Sequence, residues 1–170
     1  MTDCDKRGFA MDNNAHVIFD SDGNEEEFLP AAVIDTSYFI SAILADCTSE
    51  ENFEAQSFIL NLIEKNGQII VPQLFWFEIG NVLLNAVKPK KDGSQSRISK
   101  AQLDEILMTI ADLPIYTDLQ PDSETRTRIL STAIDTNLTY YDATYLELAR
   151  RKDVPLKTWD KALQTAAAKE

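Results

Sequence analysis

The sequence is too poor in cysteine, histidine and glycine for several large classes of chemistry. Its two cysteines, Cys4 and Cys47, have no paired spacing, which leaves no sign of a disulfide framework or a zinc site. The single histidine, His16, lies in a polar N-terminal stretch, so no Ser-His-Asp or Cys-His machine assembles without that stretch. Five glycines form neither a G-x-x-x-x-G-K-S/T nor a G-x-G-x-x-G pattern, and phosphate-loop and dinucleotide sites fall away. Basic charge is scarce as well. Sixteen Lys and Arg face 28 Asp and Glu, a net charge of −12, the opposite of the usual nucleic-acid-binding footprint. Residues 1–30 hold eight of the acids and two of the bases, so −6 sits there and −6 remains for residues 31–170.

A chain of 170 residues suits one well-buried domain and is short for two. An apolar fraction of 44% and a charged fraction of 26% are those of a soluble globular protein. From Phe28 to Ala45 only Asp35 is charged. A charge in mid-span costs about 2.5–3.5 kcal/mol on insertion scales, and Pro30, Thr36, Ser37 and Ser41 interrupt the stretch further. A buried strand followed by a helix explains it better than a membrane span, and with no secretory signal at the start a cytoplasmic location is expected.

What is present is a set of acids at telling places. Ala32-Val33-Ile34-Asp35-Thr36-Ser37 is a continuous apolar run, as in a strand buried on both faces, ending in a carboxylate where ligands collect on parallel sheets. A helix N-cap is the competing role for Asp35. Leu74 to Leu84 is a long apolar helix carrying one acid, Glu78, with Asn81 three positions on and on the same face. Burying an unpartnered carboxylate is costly, so Glu78 must reach solvent or a cation. Asp142 lies in the first turn of a helix opened by Tyr140-Tyr141, and Thr158-Trp159-Asp160 follows the short strand at Leu156. Both acids have the same capping alternative as Asp35. One account covers all four: carboxylates meeting above the edge of a parallel sheet repel one another unless a cation neutralises them. Oxygen-only ligands favour Mg²⁺ or Mn²⁺.

Val33-Ile34-Asp35-Thr36-Ser37, Val71-Pro72 followed by Glu78-x-x-Asn81, Tyr141-Asp142-Ala143-x-Tyr145-Leu146-x-Leu148-Ala149, and Thr158-x-Asp160 come in an order that resembles a PIN-domain ribonuclease. Within that family the chain is most similar to VapC-type toxins of bacterial toxin–antitoxin pairs. The resemblance covers residues 31–170 and leaves 1–30 as an acidic extension. It implies an α/β three-layer sandwich with a central parallel sheet and helices on both faces. Asp35, Glu78, Asp142 and Asp160 become the acidic quartet holding Mg²⁺ or Mn²⁺ for RNA cleavage, with Thr36, Ser37, Asn81 and Thr158 as polar support or substrate contacts. It also implies a cognate antitoxin and a homodimer. Many PIN domains add a strand after the last helix; here the chain stops at Glu170, soon after that helix.

Two readings of another class stand beside it. One is a PIN-like module that binds a partner with little or no catalysis. The other is a receiver-type domain phosphorylated on Asp35, which should carry an acidic pair on its first turn and a Lys at the end of its last strand; Thr158 and Asp160 at that end count against it. Asp20-Ser21-Asp22-Gly23 imitates a calcium loop, with glycine at the wrong position, and the opening of haloacid-dehalogenase-type phosphatases. Glu25-Glu26-Glu27 follows where that fold needs an apolar helix start, so a turn after a short strand fits better.

Along the chain, a helix is expected from Ser49 to about Lys65, with Phe53, Phe58, Leu60, Leu62 and Ile63 available for the core, stopped by Asn66-Gly67. The strand Gln68-Ile69-Ile70-Val71 and the Glu78 helix to about Val87 follow. Lys88 to Ser96 is a linker, which in PIN toxins resembles the protruding hairpin used in pairing. A helix from Ser99 through Ile106, Leu107 and Ile110 leads to a strand Leu113-Pro114-Ile115-Tyr116. Ser123 to Thr136 is a helix with Ile129, Leu130, Ala133 and Ile134 inward. The Asp142 helix, the Leu156 strand and a terminal helix complete the alternation that parallel sheets require. Bases cluster at Lys88, Lys90, Lys91, Arg97 and Lys100 and at Arg150, Arg151 and Lys152, either tracking a phosphate backbone or complementing helix ends.

Overall fold

The computed structural model of the chain describes residues 30–44, 50–89 and 95–169, together with the backbone of two short strands ahead of them. Those strands, β1 (Ile18–Phe19) and β2 (Glu25–Glu26), pair antiparallel. The turn between them, Cys4, His16, Cys47, Ser49, Lys90 and Lys91 lie outside the described residues.

Four parallel strands form the main sheet: β3 (Ala31–Ile34), β4 (Gln68–Pro72), β5 (Ile115–Asp118) and β6 (Leu156–Lys157), in the order β5-β4-β3-β6. The central pair is the most apolar, with Ala32, Val33, Ile34, Ile69, Ile70 and Val71 all buried; strands covered on both faces leave no place for polar alternation. Among the described residues β6 ends the sheet, with no further strand beyond it. Helices α1 (Thr36–Ile43), α2 (Glu50–Glu64), α3 (Leu74–Val87), α4 (Lys100–Asp112), α5 (Ser123–Thr136), α6 (Tyr140–Lys152) and α7 (Lys161–Ala167) complete a three-layer α/β sandwich. None of the described helices is long and apolar enough to cross a membrane.

Local chemistry sets most boundaries. Ser99 caps α4 through a reciprocal bond pattern with Gln102. Asn66, at φ 55°, closes α2 in the left-handed region, and the Gly67 amide bonds the Leu62 carbonyl at 2.7 Å. A Cβ on Gly67 would collide with the Pro30 carbonyl and with Leu62, and that carbonyl is itself held by the Gln68 amide at 2.9 Å. Gly67→Ala therefore loses about 1–3 kcal/mol through overpacking, seen as a lower urea midpoint with unchanged slope; unaltered stability would show that the β3 entrance yields.

The structure corrects three details. β5 begins at Ile115 rather than Leu113, because the Leu113 amide closes α4 onto Ile110 and Pro114 offers the ladder only its carbonyl, to Ile69 at 3.0 Å. In α2 the buried face is Ala55, Ile59 and Leu62, while Phe53 and Leu60, seven residues apart on another face, are 70% and 58% exposed. In α5 the inward residues are Thr125, Ile129 and Thr132; Leu130 and Ile134 point out.

Candidate active site

β3 is central and delivers Asp35 one residue past its end, where the Asp35 amide bonds the Lys157 carbonyl of β6 at 2.9 Å. Asp35 occupies the N-cap position of α1 but makes no side-chain capping bond. Its Oδ2 instead accepts from Ser37 Oγ at 2.6 Å and from Thr158 Oγ1 at 2.8 Å. Thr158, buried just after β6, accepts in turn from the Asp160 amide at 3.0 Å. The Trp159 amide donates to Ser37 Oγ at 3.1 Å and its indole to Ser41 Oγ at 2.8 Å. Two adjacent strand ends are thus tied together around one carboxylate. Asp160 does act as a cap: its Oδ1 accepts from the Leu163 amide at 2.8 Å.

Glu78 arrives from α3. Its Oε2 accepts from Thr36 Oγ1 at 2.8 Å and from the Tyr145 phenol at 2.6 Å, and those two hydroxyls lie 3.0 Å apart. Burial, then the bond to Glu78, pushes the Tyr145 phenol well above its usual range, so it stays protonated and donates. Thr36 follows Asp35 directly, and Tyr145 lies one turn beyond Asp142 on α6. Asp142 itself is not the cap of α6. That role belongs to Thr139, which accepts from the Asp142 amide at 3.1 Å and donates to Asp142 Oδ2 at 2.7 Å. Asn81 is exposed and makes no side-chain hydrogen bond among the described residues.

The four acids share one arrangement. Asp35 and Asp142 are engaged through Oδ2, Glu78 through Oε2 and Asp160 through Oδ1. Among the described residues nothing donates to the other oxygen of any of them. Each carboxylate is aimed by the protein and keeps lone pairs for something else. Among those residues no three Asp, Glu, His or Cys side chains gather closely enough to enclose a metal by themselves. An all-oxygen donor set of one or two direct carboxylates completed by water is what Mg²⁺ takes, not a dedicated protein cage. The donors are oxygen only, the chemistry that suits a hard divalent ion.

The PIN domain family matches residues 32–169. The chain belongs to the PIN-domain family. Among curated proteins no relative matches it. Its fold is similar to PAE2754 of Pyrobaculum aerophilum, with a TM-score of 0.55 and 17% identity over 82% of this chain and 86% of that one. It is likewise similar to VapC20 of Mycobacterium tuberculosis, a sarcin-ricin loop cleaving toxin, with a TM-score of 0.55 and 11% identity over 79% and 94%.

In this PIN domain the residue that sequence reasoning passed over is Tyr145. Its signal was available, since it stands three residues after Asp142 on one helical face, yet an aromatic there reads as core. Removing its hydroxyl in Tyr145→Phe deletes a charge-assisted bond to Glu78 and costs about 1.5–3 kcal/mol, measurable by urea denaturation. A variant as stable as wild type would mean that Thr36 alone suffices to hold Glu78.

Proposed function

We propose that the protein is a divalent-metal-dependent endoribonuclease, the toxin of a toxin–antitoxin pair acting in the cytoplasm. The observation that carries this reading is the set of four carboxylates, each anchored through one oxygen with the other kept back. Membership of the PIN-domain family and the likeness of fold to a VapC toxin support it. The nuclease unit is residues 31–170, with 1–30 an acidic extension.

Asp35, Asp142 and Asp160 would hold Mg²⁺ or Mn²⁺, directly or through water. A bound ion of this kind lowers the pKa of its water and offsets charge developing on a phosphodiester oxygen. The chain's own residues do the aiming. Ser37 and Thr158 fix the rotamer of Asp35, and Thr158 couples it to the Asp160 backbone. Thr36 and Tyr145 hold Glu78, whose other oxygen positions the attacking water. Exposed Asn81, on the Glu78 helix, contacts substrate. The apolar surface of Trp76, 39% exposed and not among the substrate-facing residues, suits a second copy of the chain or an antitoxin, since interface cores favour such residues.

Purified, antitoxin-free protein is expected to cut single-stranded RNA internally with Mg²⁺ or Mn²⁺ and to stop in EDTA. One observation favours the quieter reading, a partner-binding module: no three acids are gathered among the described residues. Failure to cleave with either ion, in protein that still melts cooperatively, would decide for it.

A further inference from the structure

A cavity of about 240 Å³, lined by none of the four acids, is left unused by the proposed chemistry. It opens at the carboxyl ends of β4 and β5, between the starts of α3, α5 and α6, and its lining is largely apolar. Phe77 and Tyr141 both line it, yet they are 72% and 61% exposed, as is Leu119 at 81%. Each of these aromatics immediately precedes one of the acids, Glu78 and Asp142. The wall also carries an ion pair: Arg151 donates to Asp118 Oδ2 at 2.8 Å and to the buried Glu147 at 3.1 Å.

We propose that this cavity takes one unstacked base of the RNA substrate, stacked on Phe77 and Tyr141, with its edge read by Asp118 and Arg151. The inference rests on the ribonuclease reading and names a specificity element for it. Three observations favour a base over other occupants. The cavity is smaller than the roughly 300–1,000 Å³ of sites for drug-sized ligands, which suits a single ring system. It couples exposed aromatic faces to a polar wall, the combination that single-stranded RNA recognition uses. Finally, a chain of net charge −12 gains little from phosphate contacts and counterion release, so affinity must come from neutral surface. Stacking of a base on an aromatic ring supplies such affinity through π-faces that every base carries. Asp118 accepts from a base amino group, and the guanidinium N–H groups of Arg151 that Asp118 and Glu147 leave over donate to ring nitrogens or carbonyls.

The test titrates fluorescein-labelled hexaribonucleotides with the full chain in EDTA, read by anisotropy, beside Mg²⁺-dependent cleavage of the same RNAs. A single abasic residue is moved through the sequence. For the wild type, one abasic position weakens binding about tenfold, the scale of losing one stacked base. Phe77→Ala and Tyr141→Ala bind the intact RNA at that weakened level and no longer notice the abasic position, and their KM rises with little change in kcat. Phe77→Tyr restores binding, and Met108→Ala, on the exposed face of α4, behaves as wild type. Alanine variants with wild-type affinity, KM and abasic sensitivity would overturn the base site while leaving the nuclease intact. Abasic-sensitive binding without cleavage would keep the base site and remove the nuclease reading. No RNA binding at all would end the base site.

Discussion

Asp35→Asn is expected to slow RNA cleavage by about a hundredfold or more while leaving the fold intact. Both hydroxyls that engage Asp35, those of Ser37 and Thr158, can donate equally to an amide oxygen, so the strand-end connections survive the exchange. What is lost is the negative charge. A metal contributes several kcal/mol of transition-state stabilisation, and forfeiting about 3 kcal/mol of it already corresponds to roughly a hundredfold in rate. The metal-free variant should be about as stable as wild type, because both hydroxyl contacts to this side chain survive the exchange. Glu78→Gln is the informative companion. If Glu78 positions water, its variant retains near-wild-type Mn²⁺ affinity and loses cleavage, whereas Asp35→Asn loses both. Calorimetric Mn²⁺ titration beside single-turnover cleavage separates the two. Undiminished cleavage by Asp35→Asn would sink the assignment, and equal loss of Mn²⁺ by both would make Glu78 a ligand.

The order of strands and helices was legible because it depends on patterns with strong local causes. Continuous apolar runs mark β3 and β4, Asn66-Gly67 ends α2, and Ser99 starts α4. The acids at strand ends were legible for the same reason, as was Thr158 between β6 and α7. What could not be read is which oxygen of each acid is engaged, and by what. Thr36 and Tyr145 meet on Glu78 from positions 109 residues apart, a distance that no local pattern spans. Helix faces were misjudged where the neighbour is polar. The inward face of α5 carries Thr125 and Thr132 because α6 presents a buried carboxylate to that side, so counting apolar residues pointed to Leu130 and Ile134 instead. Arg150, Arg151 and Lys152 read together as one basic cluster, yet Arg151 is spent on Glu147 and Asp118, which thins any phosphate-tracking surface there.

That buried carboxylate sets the largest stability effect expected away from the acids. Glu147 is 3% exposed and stands between two guanidinium groups, with Arg128 Nε at 2.9 Å and Arg151 Nε at 3.1 Å. Arg151 continues to Asp118 at the end of β5 and Arg128 to Glu124 on α5, so one side chain joins α5, α6 and the sheet edge. Removing a single partner from a buried ionic set leaves the remaining charge desolvated and unpaired, at a cost of about 3–5 kcal/mol. Glu147→Ala removes the one carboxylate that both cations share but leaves Arg151 with Asp118 and Arg128 with Glu124, so its cost should lie at or below the lower end of that range. Arg128→Ala should cost far less, because Glu147 keeps Arg151 and the Arg128 side chain is already 41% exposed, where ion pairs contribute about 1 kcal/mol at most. The Arg150, Arg151 and Lys152 side chains at the end of α6 also complement its macrodipole, a contribution that both variants retain and that cancels between them. Urea denaturation of the two variants therefore orders them, with the Glu147 midpoint well below that of Arg128. Equal midpoints would show that water reaches Glu147 and that the network holds the surface of the domain rather than its interior.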